Sequence, residues 1–187
     1  MAIKLVQRHI WRDDLVPQFD ILKGSSLYDD LKEGHDSGFK VFRDLVDLDI
    51  TALDVAEQYF HAEKQKVLVK QDKVNYNNRW FQPNCSDCTK RIQRIYNYIS
   101  KQYKTRQCDI YANWIRDGHS YGRHNDTMDV LILQVWNEIA YCIESPYGDK
   151  QHISYTLAPG DAIYIRAGTY HTPIILGERM TMSFSWG

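Results

Sequence analysis

Gly122-Arg-His-Asn-Asp-Thr-Met-Asp-Val-Leu-Ile-Leu-Gln-Val-Trp136 decides how this chain is read. Its second half, Met128 to Val135, is almost entirely apolar, the pattern of a strand buried on both faces. Its first half places His124 and Asp126 two residues apart. In an extended backbone residues i and i+2 point the same way, so an imidazole and a carboxylate at these positions can share one ion. A third ligand must come from elsewhere, and His171 is the best candidate. It closes Gly160-Asp-Ala-Ile-Tyr-Ile-Arg-Ala-Gly-Thr-Tyr-His171, a strand followed by a tight glycine turn. Two histidines and one carboxylate leave three positions of an octahedron open, the arrangement of non-haem Fe(II) sites that admit a bidentate 2-oxo acid together with O₂.

Outward from this stretch, short β-type runs separated by turn signals fill the chain after residue 105. They are Cys108 to Ile115, Ala140 to Glu144, Gln151 to Leu157, Ala162 to Arg166, Pro173 to Leu176 and Met180 to Trp186. The punctuation between them is Ser-Pro-Tyr-Gly (145–148), Ala-Pro-Gly-Asp (158–161), Ala-Gly-Thr (167–169) and Gly-Glu (177–178). Such spacing argues for a barrel or sandwich. Before residue 105 the texture is helical. One helix is expected over Thr51 to Val67, with Leu53, Ala56, Tyr59 and Phe60 as its apolar stripe. A second is expected over Ser86 to Tyr103, with Ser86 as N-cap and Ile92, Ile95, Tyr96 and Ile99 facing the core. Lys40 to Leu48 alternates loosely, as a strand does. The expected plan is an α+β, mainly β chain. Residues 1–105 form a helical N-terminal extension packed on a β-core of residues 106–187, together one compact domain.

Composition narrows the function classes. A chain of 187 residues with 43% hydrophobic content is large and apolar enough to build a core. A net charge of -1 gives no global attraction to nucleic acid or anionic membrane. No apolar run is long enough to span a bilayer, and the N-terminus has no apolar stretch of signal-peptide length. A cytoplasmic setting is therefore expected, with Cys85, Cys88, Cys108 and Cys142 as thiols.

A set of motifs carries a resemblance. Tyr111-Ala-Asn-Trp, then Gly122-Arg-His-Asn-Asp126, then Asp129-Val-Leu-Ile-Leu-Gln-Val135, resembles the core of the JmjC-type ribosomal oxygenases, the cupin-like 2-oxoglutarate hydroxylases. Leu157-Ala-Pro-Gly-Asp-Ala-Ile-Tyr-Ile165 followed by Gly168-Thr-Tyr-His171 is similar to that family's second metal motif. The resemblance covers about residues 108–186. It implies a double-stranded β-helix of the jelly-roll or cupin kind, Fe(II) held by His124, Asp126 and His171, and 2-oxoglutarate and O₂ as partners in hydroxylation. Two positions depart from the pattern. Ile139 stands near where the family carries a basic residue for the far carboxylate of 2-oxoglutarate, and Arg166 stands where it often has Pro. Arg179, on the strand after His171, is the expected replacement anchor, because a guanidinium can fork both carboxylate oxygens. Asn113, Ser183 and Tyr111 are further candidates for the same ligand. The primary substrate is a protein side chain or a small molecule. The rival expectation is a metal-binding cupin enzyme or binding module that uses no 2-oxo acid, and the apolar Ile139 favours it.

Other conspicuous residues carry plainer readings. His61-Ala-Glu63 repeats the ligand spacing but lies in a helical pattern, where i and i+2 diverge. His119 reads as a loop residue and Asp129 as a hydrogen-bond partner near the metal pair or an ordinary strand polar residue. The Cys85/Cys88 pair has no second pair to complete a zinc site without His35, His61 or Cys108. Trp114, Trp136 and Trp186 read as core, as do Arg79-Trp80-Phe81 and Tyr96/Tyr98.

Overall fold

In the computed structural model, residues 26–68, 79–114, 120–144 and 152–186 are described. The 145–148 turn and His119 lie outside them. Among these residues the helices are α1 (Ser26–Ser37), α2 (Ala52–Lys64) and α3 (Lys90–Tyr103). The strands are β1 (Phe39–Phe42), β2 (Arg79–Gln82), β3 (Gln107–Asn113), β4 (Val130–Trp136) and β5 (Ile139–Glu144), then β6 (His152–Leu157), β7 (Ala162–Ile165), β8 (His171–Ile175) and β9 (Arg179–Ser185). They form two antiparallel sheets, one ordered β1-β7-β4-β9-β3-β2 and one ordered β6-β5-β8. The class is α+β, mainly β, with a jelly-roll arrangement as expected. Among the described residues the pairing does not run continuously around a ring, and the two sheets face each other as a sandwich.

β4 explains its own sequence. Val130 and Ile132 join Tyr141, Ile143, Leu157 and Ile163 in the core between the sheets. Leu131, Leu133 and Val135 face the other way, into a larger core with Ile92, Ile95, Ile99 and Phe184. A strand covered on both faces has no polar side to present, hence the unbroken apolar run. Each fully buried aliphatic side chain there contributes about 1.5–3 kcal/mol relative to exposure. Trp186 is core, as expected, and its indole N–H donates to the carbonyl of Tyr103 at 2.9 Å, tying the end of β9 to α3. Trp114 and Trp136 pack partly buried against the same core.

The segment before residue 105 is not helical alone. β1 pairs with β7, and β2 pairs with β3, so both edges of the six-stranded sheet come from it. Of the expected strand Lys40 to Leu48 only the start is strand, in β1, and Arg79-Trp80-Phe81 falls in β2. Trp80 is buried and Phe81 stacks on Tyr111 with ring centroids 4.8 Å apart.

Helix α2 presents a different face from the expected one. Leu53 and Phe60 are 68% and 64% exposed, while Asp54, Val55, Gln58 and Ala62 are buried. The reason is polar. Thr51 and Asp54 form a capping box, and Asp54 also accepts two bonds from Arg91 of α3 at 2.9 and 3.0 Å. Gln58 donates to Gln82 at 2.7 Å and accepts from the Thr89 backbone at 2.8 Å. These bonds fix the rotation of the helix against the apolar count. Helix α3 buries Ile92, Ile95 and Ile99 as expected, with Tyr103 continuing the stripe and Tyr96 only partly covered. Its N-cap is Thr89, not Ser86, because Cys85 and Cys88 are bonded to each other and hold the preceding residues in a turn. This disulfide overturns the expectation of thiols at both positions. Their Cα atoms stand 6.1 Å apart, within bridging range. Cys108 and Cys142 are free. No described helix is long and apolar enough to cross a membrane.

The Ala158-Pro-Gly-Asp161 turn locks β7 to its neighbours. Gly160 has φ of +93°, and a Cβ there would stand 2.3 Å from the Val46 carbonyl oxygen, so only glycine fits. The buried Asp161 carboxylate accepts from the backbone N–H groups of Asp44 and Ala158, at 3.0 and 3.1 Å, and from Arg43. Burial pushes its pKa up, but these bonds outweigh burial and hold it below the ordinary carboxylate value. Asp161→Ala is expected to cost about 3 kcal/mol of stability in denaturant unfolding, since it strands two amide donors and a guanidinium. The Asp161 contribution is present above the unfolded-state value near 3.9 and lost as pH falls through the lower folded value. The gap between wild type and variant should therefore close in acid.

Candidate metal centre and its cleft

The loop before β4 and the start of β8 meet in a single antiparallel bridge. The His124 amide donates to the His171 carbonyl at 3.0 Å, and the His171 amide donates to the His124 carbonyl at 2.8 Å. The turn that delivers His171 is braced from both sides. Gly168, with φ of +81°, donates its amide to the Asp126 carbonyl at 2.9 Å. Asp129 is buried and accepts from the Ala167 amide at 2.9 Å and from the Tyr164 hydroxyl. Asp129 thus supports the turn and makes no hydrogen bond to either imidazole.

One consequence is that His124, Asp126 and His171 each aim a ligand-type atom at a common point, all within 4.8 Å of one another. The Nε2 atoms of His124 and His171 lie 4.0 and 3.6 Å from the Asp126 carboxylate oxygens. Each imidazole places Nδ1 against a backbone carbonyl, His124 on Gly122 at 2.9 Å and His171 on Thr169 at 3.1 Å. A proton on Nδ1 satisfies those bonds and leaves both Nε2 lone pairs facing the shared point, as a metal requires. His171 is buried, and burial lowers its pKa, which favours the neutral ligand form. Two imidazoles and one carboxylate fit a non-haem Fe(II) ion by donor type and by proximity.

The cluster lines a cleft between the sheets that encloses about 470 Å³ up to and including its open mouth. Tyr111, Thr181, Ser183 and Arg179 form one wall, Tyr141 and Pro173 another, and Tyr121 stands at the mouth. Strand alternation explains the first wall. Residues 179, 181 and 183 of β9 share a face, and β9 pairs with β3 so that Arg179 lies opposite Asn113 and Thr181 opposite Tyr111.

Arg179 is buried, and burial presses its pKa down. Its Nε donates to Asn113 at 2.8 Å, and one Nη donates to Thr181 at 2.7 Å and to the Tyr111 carbonyl at 3.3 Å. Thr181 passes its own proton to Gln134 at 2.7 Å. All these acceptors are neutral, and no carboxylate among the described residues pairs with the guanidinium. The Asn113 side-chain N–H₂ has no partner either.

The structure thus brings His124, Asp126 and His171 together, with Tyr111, Ser183 and Arg179 in the same cleft and Asn113 behind Arg179. Ile139 is wholly buried in the apolar core opposite Leu157 and Ile175. Arg166 points away, donating to the His35 carbonyl at 3.4 Å. His61 lies in α2 and bonds Asp87 at 3.1 Å. Sequence reasoning missed Thr181, Gln134 and Tyr141. Tyr141 is buried 6.2 Å, ring to ring, from His171, and burial pushes its pKa up to about 12. The available signal was its place between Ile139 and Ile143 on the inward face of β5.

Neither a family model nor a curated protein matches the sequence. Solved structures of the ribosomal oxygenase YcfD from Escherichia coli share the fold. The complex with cobalt and 2-oxoglutarate aligns at a TM-score of 0.61 and 16% identity, over 87% of this chain and 51% of that one. The complex with cobalt and succinic acid gives 0.61 and 17%, over 87% and 51%. A further YcfD structure gives 0.60 and 18%, over 85% and 50%. This chain spans about half the length of those proteins. The likeness is one of fold, and at 87% of the chain it reaches beyond residues 108–186.

Proposed function

We propose that this protein is an Fe(II)- and 2-oxoglutarate-dependent oxygenase, with His124, Asp126 and His171 as metal ligands and Arg179 as the anchor for the far carboxylate of the cosubstrate. A buried guanidinium with no anion beside it, in the same cleft as a two-histidine, one-carboxylate cluster, is the observation on which the assignment rests. A charge out of water needs a counter-charge, and a dicarboxylate that also chelates the metal supplies one.

Bound iron would supply the redox chemistry that couples decarboxylation of the 2-oxo acid by O₂ to hydroxylation of a C–H bond. The chain's own residues bind and orient. Gly122 and Thr169 carbonyls fix the imidazole tautomers, and Asp126 completes the ligand face. Thr181 and Asn113 set the plane of the guanidinium, whose remaining Nη bonds no described residue. Tyr141 stays protonated at neutral pH and offers a hydroxyl donor beside His171. Ile132 and Pro173 give the cleft apolar wall surface. β1 and β2 complete the sheet that carries β4 and β9, so residues 26–186 act as one catalytic unit. The primary substrate is a protein side chain or a small molecule that enters past Tyr121.

Anaerobic titration of the Fe(II)-loaded protein with 2-oxoglutarate tests this. A weak visible charge-transfer band saturating at one equivalent is expected, followed by succinate when air is admitted. Tight metal binding without the band would instead favour the cupin that uses no 2-oxo acid, the outcome that Ile139 argues for.

A further inference from the structure

The two metal-ligand histidines are joined by one rung of backbone pairing and no regular ladder. On the inner side the Gly168 amide on the Asp126 carbonyl steadies the rung, and a second set of contacts lies on its outer side. Residues 123 and 170 each precede a histidine, and strand alternation turns their side chains to the opposite face from the ligands. There the Arg123 guanidinium carbon stands over the Tyr170 ring, 3.8 Å from its centroid. The same guanidinium forks the Glu144 carboxylate, Nε to one oxygen and Nη2 to the other at 2.8 Å. Glu144, the last residue of β5, donates its own amide to the Tyr170 carbonyl at 2.9 Å.

We propose that Arg123, Tyr170 and Glu144 form an outer clamp on the His124–His171 bridge, with Arg123 as a positioning residue for both ligands. The inference rests on the metal-site reading above. An ion pair as exposed as this one, with Arg123 54% accessible, ordinarily contributes little. This one differs because it is bidentate and sits over an aromatic ring, a fork that the point charge of lysine cannot reproduce. It also adds a side-chain link to the backbone bonds that already join the loop before β4, the turn before β8 and the end of β5. Outer groups that orient ligands typically alter metal affinity by about 10–100-fold.

The test measures Co(II) affinity and amide hydrogen exchange on the full chain, for wild type, Arg123→Ala, Arg123→Lys and the swap Arg123→Glu with Glu144→Arg. Arg123→Ala should weaken Co(II) binding by about 10-fold or more. It should also speed exchange at the His124 and His171 amides while the β4–β9 ladder stays protected. Arg123→Lys should fall nearly as far, and the swap should recover part of both signals. Unchanged exchange at these two amides in Arg123→Ala overturns the clamp. So does exchange that accelerates equally across the large sheet, which would mark Arg123 as general scaffolding. If wild type binds no Co(II), the metal-site reading fails instead, and exchange in the metal-free protein still decides the clamp.

Discussion

Arg179→Met is expected to weaken 2-oxoglutarate binding to the Fe(II)-loaded protein by at least about 100-fold, with metal affinity nearly unchanged. Removing one partner of a buried, hydrogen-bonded charge pair costs about 2–5 kcal/mol, and most of it arises because the other charge is left buried and unpaired. Here the stranded charge is the ligand's carboxylate. Thr181, Asn113 and Tyr141 remain, but neutral donors do not replace a forked guanidinium. Arg179→Lys should recover only part of the affinity, since an ammonium reaches one oxygen at a time. The ligand-free protein should respond differently. Arg179 is buried, and its acceptors among the described residues are neutral, so Met, of similar length, should leave thermal stability equal or higher. Anaerobic titration of the charge-transfer band and a melting curve without ligand measure the two effects. An unaltered band in Arg179→Met would remove Arg179 as the anchor.

His171→Ala is expected to reduce Fe(II) or Co(II) affinity by well over 100-fold, because loss of a group that merely orients a ligand already costs about 10–100-fold. His124→Ala should act in the same direction. His171 differs from it in being buried, which adds a dependence on pH. Burial lowers its folded pKa below the unfolded value near 6.5. The unfolded chain therefore takes up a proton that the folded protein resists. Stability of the metal-free protein is full above that value and declines as pH falls toward the lower folded one. Metal-free His171→Ala should lack this decline, though it starts from a less stable fold with a cavity at residue 171. Calorimetric titration with Co(II) and chemical unfolding between about pH 7.5 and 5.5 check the two expectations. Micromolar metal binding retained by the variant would show that residue 171 is not a ligand.

Much of this site was legible in the chain because its signals are local. The apolar run of β4, the two-residue spacing of His124 and Asp126, and the glycine turn before His171 each depend on residues within a few positions. Local backbone geometry turned each into the expected structure. β2 was not legible, because Arg79-Trp80-Phe81 is short and becomes a strand only by pairing with β3. The α2 face was misread for a related reason. Counting apolar residues selects Leu53 and Phe60, but Asp54 and Gln58 bond partners on α3, β2 and the loop before α3, and those partners are distant in sequence.

By itself, then, the sequence determined the strand-rich class, the helices α2 and α3, and the residue types able to hold a metal. Each follows from side-chain periodicity or backbone freedom over a few residues. Tertiary structure alone decided that Arg179 sits in the cleft with no carboxylate partner among the described residues, that Asn113, Thr181 and Gln134 orient it, that Tyr141 joins it, and that Cys85 bonds Cys88. Strand pairing sets which side chain faces which across β3, β9 and β4, and burial sets what charge a side chain can bear there. Both are properties of segments that meet only when the two sheets close on each other.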